Sequence, residues 1–150
     1  YEIKKLKFLK GAINAIKLLN KNKIKVIVIT NQSGIARGYF SEKKLLLFHK
    51  NINKILMKFN AKIDDFYYCP YHPSAKVKKY KKITNLRKPG NGMLLNAIKK
   101  YKLKPADCFM IGDEKKDFLS STKTKINFQY KKNYSLDKQI KKIISKNNEI

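Results

Sequence analysis

The sequence predicts an α/β protein built on a mainly parallel sheet, and three observations carry that prediction. Apolar, β-branched runs such as "KVIVIT" (Lys25–Thr30) suit strands covered on both faces. Segments with apolar residues at helical spacing lie between those runs. Polar residues gather directly after strands, as in "TNQSGIARG" (Thr30–Gly38) and at Asp113 behind "CFMIG". Open α/β sheets carry their working residues at such carboxyl ends.

Taken in order, Leu9, Ala12, Ile13, Ile16 and Leu19 recur at helical spacing and predict a helix over 8–21 with one packed face. Asn20–Lys23 breaks it, and the strand Lys25–Thr30 follows. Ser41 is placed to cap a helix over 42–59, with Leu45, Phe48, Ile52, Ile55, Leu56 and Phe59 on its apolar side. "DDFYYC" (Asp64–Cys69) reads as a second strand, before a Pro- and Lys-rich excursion from Pro70 to Pro89. Met93, Leu94, Ala97, Ile98 and Tyr101 mark a further helix, and "CFMIGD" (Cys108–Asp113) a third strand. "TKINFQY" is a fourth strand, and Leu136, Ile140, Ile143 and Ile144 predict a closing helix. There is no internal repeat.

A length of 150 residues corresponds to one domain, 1–150, with one core. The 43% hydrophobic content, with eight Phe and nine Tyr, excludes a disordered chain. The net charge of +26 would attract polyanions. The basic residues are mostly Lys, spread along the chain beside abundant Ile and Asn. A/T-rich codons produce that pattern, so the charge reads as compositional drift more than as a dedicated polyanion surface. Cys69 and Cys108 fit a reducing cytosol. No run approaches the roughly 18 apolar residues of a membrane span. No leader is evident, and a cytoplasmic monomer without membrane contact is expected.

A hydroxyl beside free backbone amides binds phosphate oxygens, and a carboxylate at a strand end holds Mg²⁺. Thr30 and Asp113 are placed for those tasks, and Arg87-Lys88-Pro89 before a helix adds a third phosphate-directed group. Each has a plainer reading. Thr-Asn and Asp after strands also cap helices, and Arg-Lys in so basic a chain is also solvated surface. Their joint order in an α/β frame favours the chemical reading.

That order resembles the haloacid dehalogenase (HAD) superfamily of Mg²⁺-dependent phosphotransferases. Thr30 matches its second motif, Lys88 its third, and Asp113 and Asp117 in "GDEKKD" its fourth. "TNQSGIARG", "YYCPYHP", "RKPGNGML" and "FMIGD" are similar, in the same order, to the heptose 1,7-bisphosphate and histidinol-phosphate phosphatases. The resemblance implies a Rossmann-like α/β/α sandwich of three layers. It implies Thr30 and Lys88 as catalytic groups neutralising phosphoryl charge, and Mg²⁺ on Asp113 and Asp117. It implies Asn31, Gln32, Ser33, Gly34, Arg37 and Arg87 as substrate-binding residues for a phosphorylated small molecule, the heptose bisphosphate of surface-glycan synthesis foremost. Histidinol phosphate is an alternative. So is a polynucleotide 3'-phosphate, because polynucleotide 3'-phosphatases share T-N-Q-x-G-I and R-K-P-x-x-G-M. A degenerate fold acting as a binding module is the non-enzymatic alternative.

Two departures matter. The family's first motif, D-x-D-G on an apolar strand, is absent: Glu2 is the early acidic residue, and Asp64-Asp65 is adjacent. The expectation is a chain that starts after that strand and is inactive alone. The zinc loop of the family, C-x-H with C-x-C before R-K-P, keeps Cys69 but has Tyr71, Thr84 and Leu86 at the other positions, with His72 out of register. Neither Thr nor Leu ligates zinc, so zinc is expected to be absent. Glu114 replaces the Lys that commonly follows the fourth-motif Asp.

Overall fold

The computed structural model describes residues 5–147; Glu2 and the rest of the first four residues lie outside that range. The elements run α1 (Ala12–Lys21), β1 (Ile27–Asn31), α2 (Ser33–Ala36), α3 (Glu42–Met57), β2 (Asp65–Cys69), α4 (Gly92–Tyr101), β3 (Phe109–Gly112), α5 (Lys115–Thr122), β4 (Asn127–Tyr130) and α6 (Leu136–Asn147). The alternation predicted from periodicity is therefore present. Two helices were not predicted: α2, inside the "TNQSGIARG" loop, and α5, directly after Asp113.

The described residues fall into two compact units. The first comprises the residues up to Ile27, Lys43–Asp65 and those from Lys131 onward. Within it α1 packs against α6, and Leu136 N–H donates to Lys10 O at 2.9 Å. Ala12, Ala15 and Leu19 are the buried face of α1. Leu9 was expected there but is 64% exposed, because the helix begins only after Gly11, whose φ of 79° interrupts the helical path. Phe59 is likewise 48% exposed: α3 stops at Met57, and Asn60 turns the chain with a left-handed φ of 54°. Leu45, His49 and Leu56 are the buried residues of α3. Asn53 closes the chain reversal after α3 by exchanging hydrogen bonds with Ile63 at both its N–H and its carbonyl, 2.9 Å each.

The second unit holds Val28–Glu42 and Phe66–Tyr130, and with them every candidate site residue. Among the described residues the strands form two pairs, β1–β2 and β3–β4, in place of one continuous sheet. β3 and β4 are parallel, in register from Phe109–Asn127 to Gly112–Tyr130. Asp64 N–H donates to Val26 O before the first pair, and Gln32 N–H to Cys69 O after it, so β1 and β2 also run in one direction. β1 was expected to be covered on both faces. All five of its residues, and all four of β3, are instead half-buried. Ile35, Ala36, Cys69, Met93, Leu94 and Ala97 are buried in this unit. Each large apolar side chain among them contributes about 1.5–3 kcal/mol.

Candidate active site

The site grows from three backbone ends in the second unit. β1 ends at Asn31, and the polar residues there bond to each other and to the Arg87-Lys88 loop. Asn31 Nδ2 donates to Lys88 O at 3.1 Å, and Lys88 N–H donates back to Asn31 Oδ1 at 3.0 Å. Gln32, buried, donates its Nε2 to Thr30 Oγ1 at 3.1 Å. As a donor, the Thr30 hydroxyl makes a long contact of 3.5 Å to Asn31 O.

Lys88 is the centre of the arrangement. Its ammonium lies 2.5 Å from Asp117 Oδ1 and donates to Ile29 O of β1 at 3.0 Å. The side chains are 9% and 5% exposed, so this is a buried ion pair, unlike the surface lysines that dominate the composition. The loop bearing Lys88 is anchored on its far side as well. Asn85 and Asn91 exchange hydrogen bonds at 2.9 and 3.2 Å, and Ser120 Oγ donates to Gly90 O at 2.8 Å. Sequence reasoning missed these supports, and no local pattern marks them.

At the end of β3, Asp113 and Asp117 have different surroundings. Asp117 sits at the third position of α5, where its Oδ2 accepts from Asp113 N–H at 3.3 Å and Glu114 N–H at 3.1 Å. Glu114 completes the reciprocal cap with the N–H of residue 117. The glycine before Asp113 makes this approach feasible: a Cβ on Gly112 would lie 2.5 Å from the Asp117 Cβ. Asp117 is thus committed to Lys88 and to the helix cap. Asp113 carries its carboxylate exposed at the strand end. The described residues contain no cluster of three or more His, Cys, Asp or Glu able to hold a metal ion. As a Mg²⁺ ligand, Asp113 fits as a single carboxylate with water completing the shell.

The remaining predicted residues divide. Ser33 and Gly34 open α2, and Gly34 is covered by the Phe40 ring, which a side chain at 34 would strike. Arg37 is exposed at the end of α2. Arg87 donates a 3.5 Å contact to Tyr71 O and borders a shallow cleft of about 200 Å³. His72, Lys82, Thr84 and Lys88 also line it, and no acidic side chain does. Desolvation first, then the positive charges of Arg87 and Arg37, hold the His72 imidazole below its usual pKa. Its Nδ1 accepts from Ser74 N–H at 3.1 Å, so the neutral ring carries its proton on Nε2.

Phenol–carboxylate hydrogen bonds and ring packing order the excursion that frames this cleft. Glu42 accepts from Tyr68 OH at 2.8 Å and from Tyr80 OH at 2.7 Å, one phenol on each carboxylate oxygen. Burial first, and Glu42 second, push the Tyr68 phenol up to about 12. Tyr71 packs on Tyr80 with ring centroids 6.2 Å apart, and His72 N–H bonds Tyr80 O. Cys69 is buried, its thiol pKa raised chiefly by burial, and it contacts Tyr71 O at 3.9 Å. Thr84 Oγ1 accepts from Leu86 N–H.

A parallel α/β frame with a hydroxyl, a buried ammonium and a carboxylate at neighbouring strand ends defines a phosphoryl-handling protein of the HAD type, and the comparisons agree. The family model described as polynucleotide kinase 3 phosphatase matches residues 3–146. The chain is 40% identical over 126 residues to D-glycero-beta-D-manno-heptose-1,7-bisphosphate 7-phosphatase of Haemophilus influenzae, covering 84% of this chain and 68% of that one. A HAD-like phosphatase of Mesorhizobium loti superposes with a TM-score of 0.77 at 27% identity, over 83% of this chain and 60% of that one. The heptose 1,7-bisphosphate phosphatase of B. bronchiseptica, solved with magnesium and phosphate, superposes with a TM-score of 0.72 at 21% identity, over 91% and 83%. The chain belongs to the polynucleotide kinase 3 phosphatase family, within the HAD superfamily.

Proposed function

We propose that this protein is a Mg²⁺-dependent phosphatase of a sugar bisphosphate, D-glycero-D-manno-heptose 1,7-bisphosphate, yielding the 1-phosphate for surface-glycan synthesis. The observation that carries this reading is Lys88. It is a buried ammonium fixed between Asp117 and the Ile29 carbonyl, at the strand end that bears Thr30. A Lys ammonium has three donors, and two are engaged here, which leaves one for an equatorial phosphoryl oxygen. Thr30 supplies a hydroxyl donor at the same strand end. Donors fixed in advance stabilise charge that develops during phosphoryl transfer without reorganising at that moment.

Asp113 is the carboxylate we assign to Mg²⁺, with Asp117 acting through Lys88 and the α5 cap. When bound, the metal would supply Lewis-acid neutralisation of phosphoryl charge. No D-x-D pair occurs among the 150 residues, so the roles assigned to these residues are binding and charge stabilisation. The cleft beside Lys88 supports a bisphosphate. Its Lys82 and Arg87, with the His72 Nε2–H, can meet a second phosphate where no carboxylate opposes it. Arg37 and the opening of α2, Ser33 and Gly34, border substrate access in this reading. Zinc has no place in it: Cys69 is a packed thiol, and the Glu42–Tyr80 clamp orders the excursion. No helix of the described residues is long and apolar enough to cross a membrane. We assign a monomer in the cytoplasm.

The polynucleotide reading is favoured by the family description and by the +26 charge. Phosphate release decides between the two. Heptose 1,7-bisphosphate, histidinol phosphate and a 3'-phosphorylated oligonucleotide would be offered, with Mg²⁺ and again with EDTA, to a form in which these 150 residues are joined to a D-x-D strand, because the 150 residues alone carry no such nucleophile and are expected to release no phosphate. Preferred, EDTA-sensitive turnover of the heptose bisphosphate is expected. Preference for the oligonucleotide, with an affinity that falls steeply with salt, would assign the family's polynucleotide activity. No release from any of them would leave a binding module.

A further inference from the structure

We infer that Asn31 and Gln32 are positioning residues, which aim Lys88 and Thr30 at the phosphoryl group and do not themselves bind substrate. This rests on the phosphatase reading above and corrects the substrate-binding role that the family resemblance gives to both side chains.

Asn31 joins two segments 57 residues apart through a closed pair of hydrogen bonds, its amide facing the Lys88 main chain as donor and acceptor at once. Such a pair fixes translation and rotation together, which a single bond does not. The polar atoms of the side chain are turned toward Lys88. The direction of the remaining Lys88 N–H is decided by where the Lys88 backbone sits, because Asp117 and Ile29 O hold the far end of the side chain. A misplacement of about an ångström at such a group can cost two orders of magnitude in rate.

Gln32 does the corresponding work for Thr30. Its side-chain N–H fills one lone pair of the Thr30 hydroxyl, and Gln32 is held in turn by its own N–H to Cys69 O at 2.8 Å. A hydroxyl oxygen that already accepts is biased toward donating its own proton. Among the described residues, the Thr30 proton is directed at Asn31 O over a long 3.5 Å, a contact that an incoming phosphoryl oxygen displaces at little cost. Gln32 is 8% exposed, and one of its side-chain N–H groups is engaged by Thr30 Oγ1.

The test is a pair of double-mutant cycles read by calorimetric binding of inorganic phosphate, in Mg²⁺, to the full chain. Lys88→Gln keeps a donor toward Asp117 and removes the charge; Thr30→Val removes the hydroxyl. Asn31→Ala should weaken phosphate about tenfold in the parent, the order of one well-aligned hydrogen bond lost, and less than about twofold in the Lys88→Gln background. Gln32→Ala should behave the same way against Thr30→Val. The crossed pairs, Asn31→Ala with Thr30→Val and Gln32→Ala with Lys88→Gln, should multiply. If Asn31→Ala melts below the assay temperature, Asn31→Ser serves instead, because its hydroxyl cannot reach both Lys88 atoms. Amide exchange at Lys88 should quicken in either variant. Undiminished factors in the Lys88→Gln and Thr30→Val backgrounds would make Asn31 and Gln32 direct ligands and overturn the inference, as would unchanged phosphate affinity in both single variants. A parent chain that fails to bind phosphate at all would refute the phosphoryl site itself, and the inference with it.

Discussion

The two strand ends that make the site follow opposite plans. At the end of β1, the side chains of Asn31 and Gln32 are bonded inward, to the Lys88 main chain and to the Thr30 hydroxyl. At the end of β3, one carboxylate is consumed and the other left open. Asp117 holds Lys88 and two backbone N–H groups, while Asp113 stays exposed. Donors must be aimed before the reaction, because reorienting them during it costs activation energy. A Mg²⁺ ligand needs only access and charge, since this ion retains much of its own water. On the proposed reading, the difference separates a fixed phosphoryl cradle from an open metal position.

The comparison breaks most visibly at Asp113. Asp113→Asn should abolish Mg²⁺-dependent phosphate release while stability shifts by no more than about 0.5 kcal/mol, as for most exposed substitutions. A large fall in melting temperature would show that Asp113 carries structure. Asp117→Ala should do the reverse. Leaving Lys88 buried and unpaired costs about 3–5 kcal/mol, and urea unfolding would read that loss. A change under 1 kcal/mol would mean that water already reaches the pair.

The excursion yields a smaller, pH-dependent effect. The Tyr68 phenol titrates at about 12 in the folded chain, against about 10 when unfolded. Between those values the unfolded state binds fewer protons. This contribution is thus complete below about pH 10 and is lost as pH rises toward 12. The stability gap between the parent and Tyr68→Phe should narrow from pH 9 to pH 11 in urea titrations. A constant gap would remove Tyr68 from the clamp. Metal analysis of the purified protein probes the same clamp at the level of composition. Zinc well below one equivalent, unchanged in Cys69→Ser, is expected; near-stoichiometric zinc lost in that variant would contradict the packed-thiol reading.

Much of this frame was legible in the sequence because strands and their ends are local signals. "KVIVIT" and "CFMIGD" located β1 and β3, and the polar residues behind them located the site. Helix ends were less legible. Leu9 and Phe59 fit the apolar period, but Gly11 and Asn60 turn the backbone left-handed and leave both side chains outside the helices. The pairing of Lys88 with Asp117 could not be read from spacing, since it joins two loops through tertiary packing. Asp113 and Asp117 looked equivalent by motif; the α5 cap and Gly112 make them different. Glu42, Tyr68 and Tyr80 meet through folds of the excursion that no short pattern records.

The central claim is that Lys88 is chemistry and not one more basic residue among many. Its most direct test is turnover of heptose 1,7-bisphosphate by Lys88→Gln and Lys81→Gln in a form of the protein that carries a D-x-D strand, with thermal melts of both. Lys81 is exposed, and its replacement should change kcat less than about twofold, within the 0.5 kcal/mol usual for surface sites. Lys88→Gln should lower kcat by about a hundredfold, near 3 kcal/mol of lost transition-state stabilisation, when assayed below a melt that falls because Asp117 loses its charged partner. Equal and mild effects of the two substitutions would contradict the account.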